Sequence, residues 1–182
     1  MKNLIWAEWK KLRRSSIVLF TVIATILIAA FILFAGQSLT IEGYYLNDPG
    51  WYMAMVQPWA TLFVLPAIIA MLGSYMICRE EQDDTLKSLL LIPLNETALT
   101  SAKMIVTFVL SVLLYLLLFV ITLSTELILH YSDLSIGMVL SFFKSYLLEG
   151  VGVFLAVSPI IAVVSYTKKS YWLALLLAEI YS

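Results

Sequence analysis

The chain has little of what chemistry usually requires. It holds one cysteine, Cys78, and one histidine, His130, in 182 residues. A lone cysteine excludes an intrachain disulfide, and with a lone histidine it excludes a His/Cys metal cluster. Charge is scarce: Asp, Glu, Lys and Arg make up 13% of the residues, roughly half the share in an ordinary soluble domain. The net charge is −1, with no basic arm or stripe to track phosphates, so nucleic acid is not a partner to expect. None of the seven glycines is followed by lysine, which removes the G-x-x-x-x-G-K-[ST] phosphate loop. No G-x-S-x-G elbow and no H-E-x-x-H helix occur, and no chain of acidic residues runs through the apolar segments. These absences argue against an enzyme, an ATP-binding subunit and a proton-coupled carrier.

What remains is apolar. Hydrophobic residues make up 62% of the chain and the mean hydropathy is +0.97, so lipid must be the solvent for most of this surface. The apolar runs predict spans at 17–36, 58–78, 104–123 (continuing towards Leu129) and 146–166, each near the ~20 residues a bilayer needs. The run 17–36 is too long for a signal peptide and no A-x-A site follows it, so it reads as a retained span. All Lys and Arg except Lys144 fall on one side of this pattern, in 1–16, 79–103 and 167–170. By the positive-inside rule the N-terminus is cytoplasmic, which points to a cell-membrane protein with several passes.

Residues 1–16 are not a span. Leu4, Ile5, Trp9 and Leu12 share one helical face, with Trp6 beside it, while Lys2, Glu8, Lys10, Lys11 and Arg14 occupy the rest and Arg13 adds to the charge. This pattern predicts an amphipathic helix lying in the headgroup layer, although a basic flank that only sets topology would share its charge. In the outer loop, Tyr44, Tyr45, Trp51, Tyr52 and Trp59 read as an aromatic belt at the interface. Pro66 and Pro159 are expected kinks in the second and fourth spans. Ala70, Gly73 and Ser74 are small residues at helical spacing. The run 134–166 is too long for one span, which predicts a short outer helix near 134–145, capped by Ser132 or Asp133, before the fourth span. The stretch 171–182 covers about 18 Å as a helix, too little to cross, and reads as an incomplete fifth span.

Charged residues in spans are functional candidates. Glu149 sits a few residues into the expected fourth span with Lys144 nearby; it is either a pathway residue or a carboxylate hydrated at the outer headgroups. Glu126 falls at the outer end of the third span, and His130 reads as a solvated interfacial residue. Asn95-Glu96-Thr97 fits a glycosylation site, but on the cytoplasmic side it is inert.

The remaining polar stretch, 79–103, opens with Glu80, Glu81, Asp83 and Asp84, continues with Thr85-Leu86-Lys87 and Leu89-Leu90, and stops at Pro93 before Ala102-Lys103. The acidic start suits a helix N-terminus and the leucines form one face. It reads either as a connector resting on headgroups or as a docking helix for a cytoplasmic partner.

This order of parts resembles the permease subunits of type-2 ABC exporters, and more narrowly the short permeases of bacitracin and lantibiotic resistance. The resemblance covers nearly the whole chain. Asp84 stands where such loops usually have Gly, and Glu96 near where a basic residue is common. The resemblance implies a permease paired with a second copy or related permease. It also implies a separate ATP-hydrolysing ABC subunit docked on the coupling helix, with no cofactor held by the permease. The implied cargo is a hydrophobic or amphipathic substrate, an antimicrobial peptide among the candidates, leaving the cell or membrane. The same residues also suit a non-transporting scaffold or sensor subunit.

Overall fold

Unpaired backbone groups are costly in lipid, so long runs of Leu, Ile, Val and Ala close their hydrogen bonds locally as helices. A computed structural model describes residues 2–13, 15–39, 48–82, 96–131, 133–167 and 172–181, and their regular structure is helical. The elements are α1 (Lys2–Arg13), α2 (Ser16–Leu39), α3 (Trp51–Trp59), a π-helical turn (Ala60–Val64), α4 (Leu65–Gln82), α5 (Glu96–Leu129), α6 (Ile136–Thr167) and α7 (Trp172–Tyr181). Among the described residues, four segments are long and apolar enough to cross a membrane: Ser16–Gly36, Trp51–Arg79, Thr97–Leu129 and Ile136–Val164. The protein is an all-α, multi-pass membrane protein.

The second of these segments begins further out than the expected 58. Gly50, at φ 86, turns the chain, and Trp51 to Val56 continue the helix outward. Tyr52 is therefore not on an interfacial belt: it is 1% exposed and its hydroxyl donates to the Ala29 carbonyl at 2.7 Å. Pro58 and Pro66 bracket the π turn, and each removes one donor from the helical ladder. The Leu65 N–H bonds to the Ala60 carbonyl five residues back. The irregularity expected at Pro66 thus sits just outward of it.

α6 departs from the expected division into an outer helix and a span. It is one helix of 32 residues, about 48 Å long, because nothing between Lys144 and Leu147 breaks the ladder. That length exceeds a hydrocarbon core of about 30 Å and requires tilt or protruding ends. Its cap is Ser135, whose Oγ accepts from the Met138 N–H at 3.2 Å, rather than Asp133; Ser132 lies outside the described residues. Pro159 lies inside α6 without ending it, and Ser158 Oγ donates at 2.9 Å to the Leu155 carbonyl that the proline ring leaves without its usual donor.

The core runs along α4, which packs on α5, α6 and α7. Ala70, Gly73 and Ser74 are buried there. A Cβ at Gly73 would collide with Ile161 Cδ1 and stand 3.2 Å from Thr107 Cγ2, so this glycine sets the distance between α4 and its neighbours. α7, ten residues and about 15 Å long, buries Ala174 and Ala178.

Candidate functional site

Most residues expected to dock a partner, Asp84, Thr85, Leu86, Lys87, Leu89, Leu90 and Pro93, lie outside the described residues. Glu80 and Glu81 are placed differently from the expectation. α4 runs to Gln82, so they belong to its final turn instead of starting a separate helix. Arg79 stands in the same turn, the basic residue that this end of a helix dipole favours.

α1 lies along α5 and touches α2. Leu12 is buried with Met76, Val106 and Leu110. Glu8, expected on the polar face, is 5% exposed, and Lys11 Nζ stands 2.8 Å from its Oε1. Trp6 and Trp9 are exposed, and Lys10 Nζ lies 4.7 Å above the Trp6 ring. Arg13 closes α1, and Arg14 lies outside the described residues. Two open apolar grooves flank the helix. One, of about 310 Å³, is lined by Ile5, Trp6, Trp9, Val106 and Val109; the other, of about 360 Å³, by Trp9, Leu12, Val18 and Leu110.

The densest polar arrangement among the described residues is inside the bundle. Glu149 on α6 is reached by Gln57 Nε2, 2.5 Å from its Oε1, and by Thr61 Oγ1, 2.8 Å from its Oε2. Gln57 Nε2 also donates to Ser145 Oγ at 2.6 Å, and the Tyr115 hydroxyl donates to Thr61 Oγ1 at 3.1 Å. Thr61 belongs to the π turn, and its hydroxyl also stands 2.8 Å from the Gln57 carbonyl.

Depth follows from helix rise. Glu149 is about 20 Å from the start of α6, Thr61 about 15 Å from the start of α3, and Tyr115 about 21 Å from the end of α5. All three distances are measured from the same end of the bundle, so Glu149, Thr61 and Tyr115 meet in one layer about 15–21 Å along it. The continuous α6 begins ten residues earlier than the expected span at 146, so Glu149 lies well inside the helix and not a few residues from its start. Its partners are Gln57 and Thr61; Lys144 is exposed and forms no ion pair with it.

A second carboxylate, placed by sequence at the outer end of the third span, has a burial and a partner that sequence reading did not foresee. Glu126 is 0% exposed. Its Oε1 accepts from the Gly50 N–H at 2.6 Å and lies 3.1 Å from His130 Nδ1. Glu126 therefore caps the start of α3 from a different helix, where the N-cap Gly50 offers no side chain of its own. His130 is largely buried against it, not solvated. The i,i+4 spacing of Glu126 and His130 was available as a signal; the approach of Gly50 was not. Glu126 Oε2 and Trp51 Nε1 are buried without a hydrogen-bond partner.

Among the described residues, no group of three His, Cys, Asp or Glu could hold a metal ion. The model of the ABC-2 family transporter protein matches residues 4–182. The bacitracin transport permease protein BCRB of Bacillus licheniformis is 31% identical over 96 residues, which covers 53% of this chain and 46% of that protein. The chain thus matches about half the length of that relative. No solved structure matches. Four segments able to span and a family match over nearly every residue agree: the chain belongs to the ABC-2 family of transporter proteins and is a membrane permease of that family.

Proposed function

We propose that the chain is the permease subunit of an ATP-driven exporter that moves a hydrophobic or amphipathic substrate out of the cell or membrane. The family match over residues 4–182 carries this reading. Partial similarity to a bacitracin transport permease supports an antimicrobial peptide as one substrate. On this reading a separate ABC ATPase hydrolyses ATP and docks on the segment from Glu80 to Pro93, with Leu86, Leu89 and Leu90 as its apolar face. A second permease copy, or a related permease, completes the transporter. α1 rests at the cytoplasmic headgroup layer through Trp6, Trp9, Lys10, Lys11, Arg13 and Arg14. ATP-driven closure of the partner moves the docking segment, and the π turn next to Pro66, together with Pro159, takes up the bending of the spans.

The test is a tagged pull-down from solubilised membranes, with wild type beside Leu86→Asp/Leu89→Asp. A nucleotide-binding subunit should accompany wild type and be lost from the variant while the variant still inserts. Folded wild-type protein that brings down no ATPase would sink the exporter reading.

A further inference from the structure

The layer around Glu149 has an unbalanced charge. A carboxylate inside a bilayer is expensive unless paired, and this one lies about 20 Å along α6. Its two donors, the Gln57 amide and the Thr61 hydroxyl, are both neutral. Among the described residues no lysine, arginine or histidine forms an ion pair with it.

The hydrogen-bond count is also incomplete. A carboxylate offers about four acceptor positions. Gln57 serves one, and its other N–H is committed to Ser145. Thr61 has a single hydroxyl proton facing two acceptors, Glu149 Oε2 and the Gln57 carbonyl, both at 2.8 Å. Oε2 is therefore served only part of the time. Glu149 is half-buried, not sealed. Glu126 differs in access, not in hydrogen-bond count: its Oε2 also has no partner, but its carboxylate is sealed at 0% exposure.

The backbone supports the same conclusion. Thr61 stands on the π turn between Pro58 and Pro66, and such turns are frequent at functional sites. That turn carries the Thr61 hydroxyl that reaches α6, and Tyr115 holds the same hydroxyl from α5. Three separate segments position one carboxylate that no described cation pairs.

We infer that Glu149, positioned by Gln57 and Thr61, is the binding site for a cationic group, an ammonium or guanidinium, carried by an amphipathic ligand within the membrane. The inference rests on the permease reading in making that ligand the cargo. It specifies what that reading leaves open, a positive charge on the substrate. The ligand's apolar part stays among the apolar surfaces of the bundle while its charged end displaces no existing ion pair.

The probes are dodecyltrimethylammonium and dodecanol, which share a chain and differ in charge. They are titrated against the full chain in phosphatidylcholine nanodiscs, followed by tryptophan fluorescence. Wild type should bind the cation about tenfold more tightly than the alcohol, the scale of one charge-assisted contact. Glu149→Gln should lose that preference and Glu149→Asp should keep most of it, with circular dichroism confirming helicity in each. Equal binding of both probes to wild type, or an undiminished preference in Glu149→Gln, overturns the site. The pull-down reports separately on the exporter: a cation preference without a co-purifying ATPase would leave the site standing and remove its role in export.

Discussion

Two carboxylates in one bundle are held in opposite ways. Glu126, near the end of α5, is sealed and takes its hydrogen bonds from the Gly50 backbone and His130. Glu149, near the middle of α6, is half-buried and takes its hydrogen bonds from the side chains of Gln57 on α3 and Thr61 on the π turn. A backbone N–H at a helix start is present in every conformation of that helix, so Glu126 is a fastening between α5 and α3. Side-chain donors can rotate away when a better partner arrives, so Glu149 is suited to exchange partners. Burial of a charge in a membrane therefore does not by itself mark function; the identity of the donors distinguishes fastening from binding.

Four substitutions sharpen this contrast. Glu126→Ala should cost the most, about 2–3 kcal/mol, because it strands the buried Gly50 N–H and opens a hole. A chemical or thermal unfolding series in detergent would show it, and wild-type stability would end the fastening account. Gly50→Ala comes next at about 1–2 kcal/mol. It forces a side chain to φ 86 and places a Cβ 2.9 Å from Met138 Sδ. If unfolding of Gly50→Ala matches wild type, α3 does not depend on this turn. Thr61→Val should lower stability by about 1 kcal/mol, since the Tyr115 hydroxyl and the Gln57 carbonyl both lose a partner. It should also weaken the cation preference in the nanodisc titration; retention of both properties would deny the π turn its positioning role. Glu149→Gln should change stability least, by under about 1 kcal/mol, because an amide keeps the size and an acceptor oxygen. A loss as large as that of Glu126→Ala would place Glu149 among the fastenings instead.

Much of this was readable from residues alone. Apolar runs predicted a helical membrane protein because lipid allows few other ways to satisfy a backbone. Glu149 could be singled out because a charge is conspicuous against Leu and Val. Its depth could not, since the end of a span was placed by counting to about 20 residues, whereas α6 runs unbroken for 32. Tyr52 looked interfacial because tyrosine often is; packing instead turned its hydroxyl to the Ala29 carbonyl. Glu80 and Glu81 looked like a helix start because of their charge, yet α4 continues through them with Arg79 beside them.

Sequence by itself determined the solvent, the helical class and the resemblance that the family match later supported, because each depends on composition and order along the chain. Tertiary structure alone decided which polar groups meet. Glu126 meets Gly50 across 76 positions, and Glu149 meets Gln57 and Thr61 across 92 and 88. Hydropathy is a sum over neighbours in sequence and carries no term for such encounters. They depend on how closely helices approach at residues such as Gly73, and on the π turn that carries Thr61, whose hydroxyl reaches α6.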